Sequence, residues 1–133
     1  MKLTRAIMLG LMLASTPAWA LDKAEIAGKW QCEYAVRDQT KPDRDSAAWF
    51  QVTLKQGGKF LGTGKAIAGG SALPMNLRGA WALSDDGVLK LTGVSEVANQ
   101  QLPFRFVADV IDANSISRLE TRGSIHYRTG CDR

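Results

Sequence analysis

The amino-acid sequence predicts an all-β protein, a single eight-stranded antiparallel up-and-down β-barrel closed by one disulfide between its first and last strands. Two observations lead to this prediction. Short segments in which apolar and polar residues alternate recur along the chain, separated by turn signals. Two cysteines then link the two ends of this pattern. A β-sandwich is the alternative that composition alone leaves open.

The period-2 alternation begins at Trp30, from which Trp30, Cys32, Tyr34 and Val36 are spaced by polar or small residues. Turn signals such as Ser-Asp-Asp-Gly at 84–87 separate the later segments. The eight predicted strands cover residues 30–36, 50–54, 59–68, 75–83, 88–97, 102–111, 116–121 and 124–131. Helical periodicity is absent except for one short turn predicted at residues 22–27.

Cys32 and Cys131 are the only cysteines, and they lie far apart in the chain. In an exported protein, such a pair is most simply a disulfide. The bridge would close a loop of about 100 residues, for which the chain-entropy model gives roughly 4–5 kcal/mol of stabilisation. It would also make the first and last strands neighbours, as in a sheet that closes on itself.

The first 20 residues have the features of a secretory signal peptide. Lys2 and Arg5 supply positive charge, residues 6–13 form a short apolar run, and Ala18-Trp19-Ala20 provides a small-x-small cleavage site. The apolar run is shorter than the roughly 20 residues that a membrane-spanning helix needs. We therefore expect a cleaved signal at residues 1–20, no integral membrane segment, and a periplasmic or secreted protein.

Cleavage would leave 113 of the 133 residues, a length that suits one domain at residues 21–133. Two of the 17 Lys and Arg side chains belong to the signal, so 15 basic groups remain against 13 acidic ones, a net charge of +2. This charge is too small to indicate nucleic acid as a partner, and export points the same way.

The sequence offers no constellation of catalytic residues. His126 is the only histidine and no Gly-x-Ser-x-Gly motif accompanies it, so Ser-His-Asp chemistry is not indicated. A disulfide would leave no thiol to act as a nucleophile or zinc ligand. Asp43 and Asp45 share a predicted loop, but an EF-type calcium loop needs a glutamate where Leu54 stands. We expect no enzyme activity, no metal and no cofactor.

The connections between the predicted strands differ in length, and this difference distinguishes the two ends of the predicted barrel. The tight connections are 56–58, 84–87 and 112–115, and the longer ones are 38–47, 69–74 and 98–101. Because the connections of an up-and-down barrel alternate between its two ends, the longer ones should form a mouth. Binding residues favour such loops and the mouths of barrels, so this end is the predicted site.

Five side chains are candidates for binding at this mouth. Trp30, Phe60 and Trp81 lie in the inward phase of their strands and would line an apolar site, with the longest loop as a lid. Trp49 lies in the outward phase beside that loop and is the kind of aromatic anchor found in protein interfaces. Arg122 would recognise a carboxylate or phosphate near the mouth.

Gly28-Lys29-Trp30 resembles the start of the lipocalin-like, or calycin, barrels. Those proteins open with Gly-x-Trp on the first strand and place a late arginine over the tryptophan, a role that Arg128 or Arg133 would fill here. The resemblance implies a non-enzymatic barrel that binds a small apolar molecule. Two features depart from the family: 113 residues is short for a lipocalin, and no helix is predicted after the strands.

Two functions are consistent with these patterns. The first is an exported carrier that holds a small apolar or amphipathic molecule at the barrel mouth. The second is a protein-binding or enzyme-inhibitor module whose filled barrel displays its loops and Trp49 to an exported partner. The Gly-x-Trp opening favours the first, so a non-catalytic ligand-binding barrel is the preferred prediction.

Overall fold

A computed structural model describes residues 21–133, and the predicted signal peptide at residues 1–20 lies outside the described residues. The elements of the described part, in chain order, are α1 (Lys23–Ile26), β1 (Gly28–Asp38), a 3-10 turn (Pro42–Arg44), β2 (Ser46–Leu54), β3 (Lys59–Ala68), β4 (Ser71–Leu83), β5 (Val88–Val97), β6 (Gln100–Asp112), β7 (Ser115–Arg122) and β8 (Ile125–Asp132). Every predicted strand is present, and several extend beyond their predicted bounds. None of the helices in this part of the chain is long and apolar enough to cross a membrane.

The strands form a closed antiparallel barrel in which each strand neighbours the next and β1 pairs with β8. The predicted barrel is therefore confirmed and the sandwich is excluded. Cys32 and Cys131 lie opposite each other in the β1–β8 ladder and form a disulfide with an S–S distance of 2.03 Å. Both half-cystines are buried in the core, so the predicted bridge joins the first and last strands from inside the barrel.

One end of the barrel, the closed end, carries the connections 55–58, 84–87 and 113–114 together with α1. Asp22 begins α1 in a capping box: its carboxylate accepts the Glu25 amide at 3.0 Å, while the Glu25 carboxylate accepts the Asp22 amide at 3.4 Å. Ile26, the last residue of α1, is fully buried in the core. The short helix thus covers this end of the barrel.

The opposite end, the loop end, carries the connections 39–45, 69–70, 98–99 and 123–124. Its second and third connections are two-residue turns, shorter than predicted. Gly69 and Gly70 have φ angles of 59° and 81°, and Ala98 and Asn99 have φ angles of 53° and 66°. Two consecutive residues with positive φ form the type I′ hairpin turn, whose twist matches that of the strands. The strands therefore continue through residues predicted as loop.

Large aromatic side chains fill the middle of the barrel. The Phe50 ring lies edge-to-face against Phe104 and Phe106, at centroid distances of 5.8 and 5.9 Å, and Phe60 lies 6.0 Å from Phe104. Other buried apolar side chains extend this cluster toward the closed end, among them Ile26, Trp30, Val52, Leu54, Trp81, Leu89 and Leu91. That half of the barrel is consequently a packed core.

Gly79 and Gly93 lie opposite each other in the β4–β5 ladder, where the two backbones approach closely. A Cβ at Gly93 would lie 2.0 Å from the Arg78 carbonyl oxygen, whereas a Cβ at Gly57 would meet nothing within 4 Å. We expect Gly93→Ala to lower the free energy of unfolding by about 1–3 kcal/mol through overpacking. Gly57→Ala should change it by less than about 0.5 kcal/mol. Denaturant titration measures both, and equal stabilities would contradict the expectation.

Candidate ligand-binding site

The β-ladder between β6 and β7 is incomplete. Its register pairs are Asp112–Ser115, Val110–Ile116 and Asp109–Ser117, with a register shift between the first two. Toward the loop end, residues 100–108 and 118–122 form no register pair with each other in the described barrel. There β6 stays paired with β5, and β7 with β8. The two strands separate, and we name the resulting opening in the barrel wall the β6–β7 cleft.

Thr129 on β8 lies where this separation begins. Its side-chain oxygen is 3.4 Å from the Val107 carbonyl oxygen on β6 and 3.4 Å from the Arg118 carbonyl oxygen on β7. Since a hydroxyl has one proton, it donates to one of these carbonyls at a time. A buried side chain of β8 therefore reaches the β6 edge, with which β7 would pair directly in an unbroken ladder.

A cavity of about 320 Å³ lies in the β6–β7 cleft. Residues from both separated strands line it, together with side chains from β1 and β8. Aromatic rings and charged groups share this lining, chiefly Tyr34, Phe106, Tyr127, Arg118, Glu120 and Arg122. The cavity is therefore amphipathic, in contrast to the apolar packing at the closed end.

An ion pair spans the cleft at its closed-end limit. The Arg118 guanidinium donates to both carboxylate oxygens of Asp109, from Nε at 3.1 Å and from Nη2 at 2.9 Å. Its Nη1 donates to Glu120 at 3.2 Å. The hydrogen bond with Arg118 holds the pKa of Asp109 below its ordinary value, and the same bond raises the pKa of Arg118. This bidentate pair holds Arg118 in a fixed position on the cleft wall.

Arg122 and Tyr127 lie together nearer the loop end. The Arg122 guanidinium is 5.8 Å from the centroid of the Tyr127 ring and 3.5 Å from the Glu120 carboxylate. Arg122 is nevertheless 76% exposed, so most of its donors face solvent. Tyr34 is half-buried nearby. Its burial is the main cause of a raised pKa, and the electrostatic effect of Tyr127 raises the pKa further. Tyr34 is thus neutral at physiological pH, and both tyrosines present an aromatic face with a polar hydroxyl.

Three of the predicted site residues lie at the closed end instead of the loop end. Trp30, Phe60 and Trp81 are each at most 3% exposed. The Trp30 Nε1 donates to the Ile26 carbonyl at 2.8 Å, and the Trp81 Nε1 donates to the Lys55 carbonyl at 2.7 Å. These indoles are satisfied parts of the core and do not meet the cavity. Of the five predicted residues, Arg122 lines the cleft.

Arg133 covers Trp30 at the closed end. Its guanidinium lies 4.2 Å from the indole centroid and donates to the carbonyls of Ala27 at 3.0 Å and Ala113 at 2.9 Å. The alternative, Arg128, instead lies 3.6 Å from Glu33 on the barrel wall. Between the two candidates that the sequence offers, the arginine over the first-strand tryptophan is therefore Arg133.

Trp49 lies on the outer face of β2, away from the cleft. It is 49% exposed and stands in register with Glu33 on β1 and Lys65 on β3. Its neighbours across the sheet are therefore charged. This position agrees with the outward phase predicted for it, and the side chain takes no part in the cavity.

Charged residues on β7 could have revealed the cleft from the sequence. Arg118, Glu120 and Arg122 share the phase of Ile116, which is buried in the core. Three successive inward positions with charged side chains are incompatible with a fully packed wall, because buried charges need partners. Of these three residues, Arg122 alone is among the site residues predicted from the sequence.

Comparison with known proteins adds no relative. No protein-family model matches the sequence, and no curated protein matches it.

Residues 21–133 contain no cluster of His, Cys, Asp or Glu side chains suited to a metal ion.

Proposed function

We propose that this chain is a non-catalytic, lipocalin-like exported binding protein that holds a small amphipathic molecule in the β6–β7 cleft. The observation that carries the proposal is the amphipathic cavity of about 320 Å³ between the separated strands. Ligand pockets typically measure about 300–1,000 Å³ and combine apolar surface with a few polar groups. The cavity is at the small end of that range, which favours a small ligand.

The side chains suggest which parts of a ligand would bind where. The rings of Tyr34, Phe106 and Tyr127 offer apolar contact, while Arg122 offers exposed guanidinium donors at the opening. An apolar or aromatic body bearing a carboxylate or similar anion would use both, since arginine suits such groups. The disulfide and the signal features of the sequence support a periplasmic or secreted location.

Native mass spectrometry of protein purified gently from its own exported fraction tests this proposal. We expect an additional mass of a few hundred daltons that is lost on denaturation. Arg122→Gln should lower the occupied fraction several-fold, since it removes the charge that we assign to the ligand's anion. Arg78→Gln is the matched control, because Arg78 lies on β4 and does not line the cavity. Bare protein under these conditions, or equal occupancy in both variants, would overturn the proposal.

A protein-binding module is the second candidate, and the exposed Trp49 favours it. Solvent-exposed tryptophans are over-represented among residues that dominate protein interfaces. The same mass measurement separates the two functions. A second polypeptide that is retained by the native chain and lost in Trp49→Ala would favour the module over the carrier.

A further inference from the structure

The separated strands present two free backbone edges to the cavity. In the described barrel, residues 100–108 of β6 pair only with β5, and residues 118–122 of β7 pair only with β8. Each such edge carries amide N–H and carbonyl groups that have strong hydrogen-bonding requirements. An unpaired edge of this kind is a template for a further strand.

Thr129 shows how the barrel meets this requirement at the closed-end limit of the cleft. Its hydroxyl donates either to the Val107 carbonyl on the β6 edge or to the carbonyl of Arg118, its own ladder partner on β7, one at a time. That hydroxyl has a single proton and one position on β8, so it cannot hydrogen-bond the other backbone groups along the edges. Beyond it, toward the loop end, the edges border the cavity that we assign to the ligand.

We infer that the ligand is a short peptide in extended conformation that pairs its main chain with the β6 edge and directs its C-terminal carboxylate to the arginines of the cleft. This inference rests on the proposed function and names its ligand class. An extended peptide offers alternating N–H and C=O groups at the spacing of a strand, as in other cases of β-strand addition. The stretch from Arg118 to Arg122 spans roughly 13 Å at about 3.3 Å per residue, which suits three or four peptide residues.

Two guanidinium groups are available to the peptide's carboxylate. Arg122 is largely exposed, and Arg105 lines the cavity without an ion pair among the described residues. Arg118, by contrast, already makes a bidentate pair with Asp109. The cleft therefore has three arginines against two carboxylates, Asp109 and Glu120, and this balance favours an anionic end group.

The aromatic lining accounts for the peptide's side chains. Successive side chains of an added strand point alternately to the two faces of the sheet. Every second side chain would therefore point into the barrel, toward Tyr34, Phe106 and Tyr127. Apolar or aromatic side chains at those positions would bury surface against these rings. The positions between them would face solvent and accept a wide range of residues.

The experiment mixes the oxidised protein with a library of N-acetyl tetrapeptides that have a free carboxylate and Phe, Leu, Ala or Ser at every position. Native mass spectrometry identifies the retained members, and hydrogen exchange follows the backbone amides. We expect retained peptides with apolar residues at alternate positions. Free-edge amides within residues 100–107, where Pro103 has no N–H, should become protected in the complex, a change that contact with side chains alone would not produce.

Matched peptides and variants sharpen the result. N-methylation of the peptide's alternate main-chain amides should weaken binding at least tenfold, because it removes donors without removing side chains. Amidation of the carboxylate should weaken binding about tenfold in the native protein, roughly 1.4 kcal/mol, and by a smaller factor in Arg122→Gln, where Arg105 alone remains available to the carboxylate. Arg78→Gln should behave as the native protein does. A peptide that binds equally well when N-methylated would overturn the inference.

A second ligand separates failure of this inference from failure of the proposed function. 3-Phenylpropanoate carries an aromatic body and a carboxylate but no peptide backbone. If it binds in an Arg122-dependent way while no library peptide does, the peptide inference fails and the small-ligand proposal stands. If neither ligand binds at millimolar concentration, both fail. If library sequences bind only when attached to the C-terminus of a carrier protein, the free-peptide form of the inference is overturned.

Discussion

Reduction of the Cys32–Cys131 disulfide is expected to lower the free energy of unfolding by about 4–5 kcal/mol. The bridge joins residues that are 99 positions apart, so its loss frees almost the whole described chain in the unfolded state. A domain of this size is stable by roughly 5–15 kcal/mol, which makes the bridge a large part of the total. Equilibrium urea titrations with and without a thiol reductant measure the change.

The comparison of oxidised and reduced wild-type protein is the cleanest form of this test. Both forms contain the same heavy atoms, so packing differences are small and the cross-link is the main variable. Because both cysteines are buried, reduction should be slow in the native state and fast in urea. A difference of less than about 1 kcal/mol between the two forms would show that the reduced chain keeps its ends together without the bond.

Trp30→Ala is expected to destabilise the barrel by about 3–5 kcal/mol, the range for a buried tryptophan replaced by alanine. The Trp30 side chain is 1% exposed, and its Nε1 donates to the Ile26 carbonyl at 2.8 Å. Its ring also carries the Arg133 guanidinium at 4.2 Å. The substitution would leave a cavity under α1, remove the shorter of the two hydrogen bonds to the Ile26 carbonyl, and leave Arg133 without the aromatic ring on which it stacks. Thermal and urea unfolding measure the loss.

Trp49→Ala is the matched control for this substitution. Trp49 is the same residue type, but it is 49% exposed on the outer face of β2 and does not belong to the core cluster of the described barrel. Its replacement should cost less than about 1 kcal/mol, in the usual range for surface positions. Trp30→Phe should be intermediate, since it keeps much of the ring and loses the hydrogen bond to Ile26. Equal effects of the two alanine substitutions would contradict the structure of the closed end.

Most of the architecture could be predicted from local patterns. Phe50, Val52 and Leu54 alternate with polar residues, and all three are buried in the barrel. A short turn at residues 22–27 is likewise predicted, and the structure forms it with a capping box of Asp22 and Glu25. Each of these features depends on neighbours within a few positions, which is why sequence alone reveals it.

The candidate site was harder to locate. Period-2 alternation shows that Trp30, Phe60 and Trp81 face inward, but it does not show which part of the interior is packed and which is open. The closed end is packed because α1 and Arg133 cover it, and their contact with Trp30 is tertiary. The two-residue turns at 69–70 and 98–99 are also shorter than predicted, and β4 and β6 therefore begin earlier than the sequence patterns indicate.

The sequence by itself determined the eight strands, their inward faces and the pairing of Cys32 with Cys131. Strands and faces follow from the alternation and the turn residues, and the pairing follows because the sequence has only two cysteines. The tertiary structure decided where the barrel wall opens. That opening depends on the lost pairing between β6 and β7, on the Thr129 hydroxyl of β8 reaching the Val107 carbonyl of β6, and on the ion pair of Arg118 with Asp109. These groups come from three strands, and only folding brings them to one place.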